Sequence, residues 1–149
     1  MNRVAIYLPA LGRLFLSGLF VWAGYDKLAD PGGTMKYFAA TGIPVPGVMV
    51  WVTVLVELVG GLALLIGFKA RVAAVVLALW SLLTGFAAHL VAATTLTDPM
   101  AAYDNMIHFY KNVAIAGGFL YVAAHGAGLL SVDNRLSNVS RRTDTSRLT

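Results

Sequence analysis

PVPGVMVWVTVLVELVGGLALLIG (Pro44–Gly67) is the stretch on which the fold turns. It is long enough to cross a bilayer, which needs about 20 apolar residues. It carries a single charged residue, Glu57. A carboxylate near the middle of a membrane helix is expensive, so it is paired, protonated or put to use. The chain therefore reads as an integral membrane protein with at least one polar site inside.

Composition agrees. Of 149 residues, 58% are hydrophobic and 12% charged, against about 25% charged in soluble domains. Mean hydropathy is +0.75. The solvent for most of the chain is lipid, and one membrane domain is the natural count. The chain has no cysteine, which excludes disulfides, thiolate metal ligands and a CxxC redox relay. No zinc motif, phosphate loop, hydrolase elbow or dinucleotide fingerprint appears, so no metal site is assigned. The formal charge of +4 is distributed as membrane orientation signals, not as a nucleic-acid surface.

Working outward, four segments are long and apolar enough to span: about 5–28, 45–67, 72–93 and 109–130. They are too long and too uniformly apolar for barrel strands. The expected fold is all-α, an integral membrane four-helix bundle occupying residues 1–133. Residues 29–44 (ADPGGTMKYFAATGIP) add an interfacial half-helix between helices one and two. Asp30-Pro31-Gly32-Gly33 breaks the first helix, and Thr34 is a candidate cap. FKAR (68–71) is a tight basic hairpin, 94–108 a polar connection, and 134–149 a disordered tail.

Arg3, Lys69, Arg71, Arg135, Arg141, Arg142 and Arg147 fall on one side, and Lys27, Lys36 and Lys111 on the other. Seven against three places both termini in the cytoplasm. The first apolar run has no persuasive cleavage site after it and reads as an uncleaved helix.

Stripes of small and polar residues should face the bundle interior. They are Arg13, Ser17, Gly24 and Lys27 in helix one; Thr53, Glu57 and Gly61 in helix two; Ser81, Gly85 and His89 in helix three. His108, Lys111 and Asn112 cluster at the outer end of helix four. From the helical rise, Arg13 lies about 12 Å inside the cytoplasmic start of helix one, and Glu57 roughly 18 Å inside the outer start of helix two. That places them at similar heights and predicts a structural Arg13–Glu57 ion pair. Lys27, His89, His108, Lys111 and Asn112 all come out near the outer side. If they converge, they form a cationic, donor-rich pocket suited to a quinone headgroup or a small oxoanion. The bland reading is that Lys27 and Lys111 snorkel to the interface. A bis-His haem is set aside, because His108 lies just outside the helix and no second matched pair exists.

Three stretches carry a family resemblance. GRLFLSGLFVWAGYDKLADPGGTMKYFAATGIPVP (12–46) has an arginine in helix one, a Gly-x-x-Lys-Leu ending and a Gly-x-Pro close. VELVGGLALLIGFKARVAA (56–74) has the glutamate, paired glycines and a short basic hairpin. HFYKNVAIAGGFLYVAAHGAGLLSVD (108–133) has the asparagine, Gly-Gly and a closing Ser-x-Asp. Together they resemble the DoxX family of small four-helix inner-membrane proteins. The resemblance implies a redox association, quinone-linked in the case that names the family. By motif match, Arg13, Lys27, Glu57 and Asn112 carry over as the polar core; His89 and His108 are added from position and chemistry.

The expected function is a quinone-linked, redox-associated subunit. Lys27, His89, His108, Lys111 and Asn112 are the candidate binding residues, with Glu57 as the catalytic proton acceptor and a redox enzyme as partner. One alternative is a non-enzymatic anchor or scaffold recruiting a soluble redox or stress-response partner. Another is a small-solute transporter working as a homodimer.

Overall fold

The computed structural model describes residues 3–145, with side chains over 4–139. The described residues form helices only: α1 (Arg3–Ala29), α2 (Pro31–Ala40), α3 (Pro46–Ile66), α4 (Ala70–Thr84), a π-helical segment (Gly85–Leu90), α5 (Val91–Thr95), α6 (Pro99–His125) and α7 (Val132–Thr145). Three helical runs among them are long and apolar enough to cross a membrane: Val4–Ala29, Pro46–Ile66 and Ala70–Thr95. The last is α4, the π segment and α5 in one continuous rod. α6 has the length for a fourth span, about 40 Å for 27 residues. Its first half is polar, with Asp104, Asn105, His108, Lys111 and Asn112.

The outer surface is that of a lipid-facing protein. Phe15, Trp22, Leu55, Leu79 and Leu120 all lie open on the outside. Such a continuous apolar exterior has no place on a soluble monomer. Inside, small residues bring helices together: Ala70, Ala73, Ala74 and Ala78 of α4 are buried against Ala116 and Phe119 of α6. Phe119 meets Phe20 of α1 edge-on, with ring centroids 5.2 Å apart.

α1 and α3 run antiparallel and very close. A methyl group at Gly61 would sit 3.1 Å from the Val21 backbone nitrogen, and one at Gly24 would sit 3.0 Å from that of Leu58. These contacts fix the register. Gly24 lies level with Glu57 and Leu58, while Arg13 lies level with Gly67. The N-terminal third of α1 thus overhangs the end of α3.

Helix ends are closed by side chains. Asp30, not Thr34, caps α2, its carboxylate accepting from Gly33 N at 2.9 Å with Pro31 in the first turn. Asp98 caps α6, accepting from Met100 N at 3.1 Å. At the opposite end of the bundle, the Asp133 carboxylate accepts from Lys69 N (2.7 Å) and Ala70 N (2.9 Å), the first donors of α4. Lys69 there has φ +44°, and Gly67 before it has φ +72°, a conformation that favours glycine. Arg71 donates to the carbonyls of Ala123 and Ala124, the last turn of α6.

Three expectations change. The fourth long helix spans 99–125 rather than 109–130, because Asp98-Pro99 starts a helix instead of forming part of a loop. The third long helix is not regular, since Gly85–Leu90 is wound as a π-helix. The tail expected to be disordered from Asn134 is helical through Thr145; its last four residues lie outside the described residues.

Candidate functional site

Glu57 points inward from α3 with its side chain 9% exposed, and its Oε2 lies 2.9 Å from Nζ of Lys27 on α1. Lys27 also donates to the Ala23 carbonyl at 3.2 Å. The expected Arg13–Glu57 pair does not form. The α1–α3 register puts Arg13 level with Gly67, ten residues from Glu57, or about 15 Å along the helix. Arg13 is instead buried beside the C-terminus of α3. It donates to the carbonyls of Leu64 (3.3 Å) and Leu65 (3.2 Å), and to that of Leu130. It acts there as a helix cap built from a side chain of another helix.

The Lys27–Glu57 pair forms part of the wall of a cavity of about 560 Å³. That volume lies within the range of small-molecule sites, about 300–1,000 Å³. The wall is overwhelmingly apolar. Phe20 and Ala23 come from α1, Tyr37 and Phe38 from α2, Met49 and Thr53 from α3, Trp80 and Leu83 from α4. Leu19 and Leu83 line it and are also exposed on the apolar exterior, so the cavity reaches the lipid-facing surface beside them.

Of the residues expected to converge, Lys27, His89 and Asn112 do line this cavity, together with Glu57. His108 and Lys111 do not. The π-helical turn carries His89 inward. Its Nδ1 lies 3.1 Å from Oδ1 of Asn105, whose Nδ2 is held at 2.9 Å by the Ala101 carbonyl. With the amide so oriented, the imidazole donates from Nδ1, and a neutral His89 is left with Nε2 as an acceptor. His108 stacks on the outer face of His89, with centroids 5.0 Å apart and planes 21° apart. It braces that ring without entering the cavity. Asn112 donates one amide N–H to the His108 carbonyl at 2.9 Å, leaving Oδ1 and its second N–H. The pocket expected from position to be donor-rich and cationic thus mixes acceptors with donors, with Lys27 as its one cation.

Trp80 supplies a donor that sequence reasoning passed over. Its indole Nε1 is buried near the Glu57 carboxylate with no hydrogen-bond partner. A buried donor without a partner is rare and calls for an explanation. Tyr37 and Phe38 are the cover that α2 lays over the cavity. The signal for Trp80 was available in the alignment of Trp80, Thr84 and the His89 region on one helical face.

The family model for DoxX matches residues 8–90. Inner membrane protein YqjF of Escherichia coli (strain K12) is 38% identical over 127 residues, covering 85% of this chain and 90% of that protein. Inner membrane protein YphA of the same organism is 33% identical over 125 residues, covering 84% of this chain and 87% of that protein. No solved structure matches the chain.

Proposed function

The chain belongs to the DoxX family, and on that premise we propose that it is an inner-membrane protein whose cavity binds a quinol or quinone for a redox assembly. In this reading α6 is the fourth spanning helix and both termini face the cytoplasm, as the excess of Lys and Arg on that side favours. The observation that carries the proposal is the convergence of a Lys27–Glu57 ion pair, His89 and Asn112 on one apolar cavity that opens toward lipid.

The donor and acceptor set suits the dihydroxy form. A quinol offers two hydroxyl protons, and the cavity offers Glu57, Nε2 of His89 and Oδ1 of Asn112 to receive them. A quinone offers two carbonyl acceptors, for which Lys27 and the partnerless Trp80 indole are donors. Oxidation of bound quinol releases two electrons and two protons. The electrons pass to a partner oxidoreductase subunit, and Glu57 and His89 are placed to take the protons. The isoprenoid tail would leave past the exposed Leu19 and Leu83.

The test is native mass spectrometry of protein extracted from its own membrane, followed by titration with a short-chain quinol in nanodiscs. The expected result is a bound quinone mass in the unsubstituted protein, lost in K27M and E57Q and kept in H125A. An empty cavity, or equal binding by K27M, refutes it. An empty cavity together with a stoichiometric soluble partner would favour the anchor reading instead.

A further inference from the structure

A second, smaller cleft of about 410 Å³ lies against the first, at the junction of α1 and α2. Its character is opposite. It is lined by Asp26, Asp30, Gly33 and Thr34, and it shares Lys27, Tyr37 and Phe38 with the large cavity. Those three residues form the partition between the two spaces. Asp26 and Asp30 are exposed at the end of α1, and the Asp30 carboxylate is held by its capping bond to Gly33.

Lys27 is the one charged group common to both spaces. Its ammonium donates to Glu57 and to the Ala23 carbonyl, and its third proton is not taken by either. Glu57 itself lines the large cavity and not the cleft. From the cleft it is reached through Lys27. We infer that the α1–α2 cleft is an aqueous port to the buried ion pair, separate from the lipid-facing side of the cavity, with Lys27 as the group that carries protons across the partition. Lys27 gives a proton to Glu57 and regains one from hydronium in the cleft, leaving water, and the reverse step empties the site. The facing titratable groups are Asp26, Asp30 and Tyr37 on the cleft side and Glu57 on the cavity side. The inference does not depend on what fills the large cavity.

The absence of native cysteine makes the port directly testable. Single-cysteine variants in lipid nanodiscs are treated with a charged sulfonatoethyl methanethiosulfonate. K27C should react within about tenfold of the fully exposed T41C. A23C, one turn deeper and lining only the large cavity, should react at least a hundredfold more slowly. Adding T34W at the cleft mouth should slow K27C tenfold or more. K27C as slow as A23C overturns the port, and so does a K27C rate unmoved by T34W. A second measurement needs no substitution, in case K27C fails to fold. Hydroxyl-radical footprinting of the native chain should label Phe38, 7% exposed, above Phe15, 76% exposed to lipid. The opposite ranking overturns the port. No quinone is present in either experiment, so its failure and that of the cavity proposal are read separately.

Discussion

The two ends of the bundle use polar residues in opposite ways. At the end that holds Arg13, Arg71 and Asp133, the side chains bond to backbone of distant elements: Leu64, Leu65 and Leu130; Ala123 and Ala124; Lys69 and Ala70. At the end that holds Lys27, Glu57, His89 and Asn112, they bond to other side chains or to their own helices, and they line a cavity. The first arrangement closes helix ends that lipid cannot hydrate. The second leaves hydrogen-bonding capacity for something not part of the chain. A charged residue in a membrane helix is thus assigned to structure or to function by where its bonds end, and its mere presence does not decide.

Substitutions can break that contrast. The largest effect should come from R13L, which takes a charged donor from three carbonyls, of which Leu64 O keeps Gly67 N. Loss of about 4 kcal/mol is expected in thermal unfolding in detergent, and quinol binding should fall only with the folded fraction. K27M comes next, at about 3 kcal/mol, because it leaves Glu57 buried without its cation. The double variant K27M/E57Q should recover to within about 1 kcal/mol of the parent while still failing to bind ligand. Recovery of both properties would move Lys27 and Glu57 into the structural class. D133A removes the cap of α4 and should cost about 1–2 kcal/mol, with ligand affinity unchanged. The smallest effect belongs to T53V. The Thr53 hydroxyl bonds its own helix at Met49 O, 2.7 Å away, so stability should move by less than about 0.5 kcal/mol. A tenfold loss of quinol affinity in T53V would show that its hydroxyl turns to the ligand.

Much of this was legible in the sequence. Glu57 announces itself as the lone charge in a spanning run, and Lys27, His89 and Asn112 follow from height alone. The half-helix over 31–40 is readable because Asp-Pro starts it and Gly42 ends it. The partner of Glu57 was not readable. Measuring each residue from the start of its own helix assumes that helices begin level, and α1 overhangs α3. The π turn was hidden because GFAAHL has no distinguishing composition, and its winding answers to packing against α6. The start of α6 could have been read, since Asp98-Pro99 is a capping signal and not only a breaker. The helicity of α7 was signalled by Val132, Leu136 and Val139 at helical spacing within an otherwise polar tail.

The cap on α4 also bears on the order of assembly. Lys69 N finds its acceptor on a residue 64 positions later in the chain. At a synthesis rate of about 5–20 residues per second, that residue appears roughly 3–13 s after the hairpin it closes. Until then the α3–α4 turn sits at the membrane surface with its first amides open to water or to insertion factors. A chain truncated before Asp133 would make every long helix and still leave this corner unlatched.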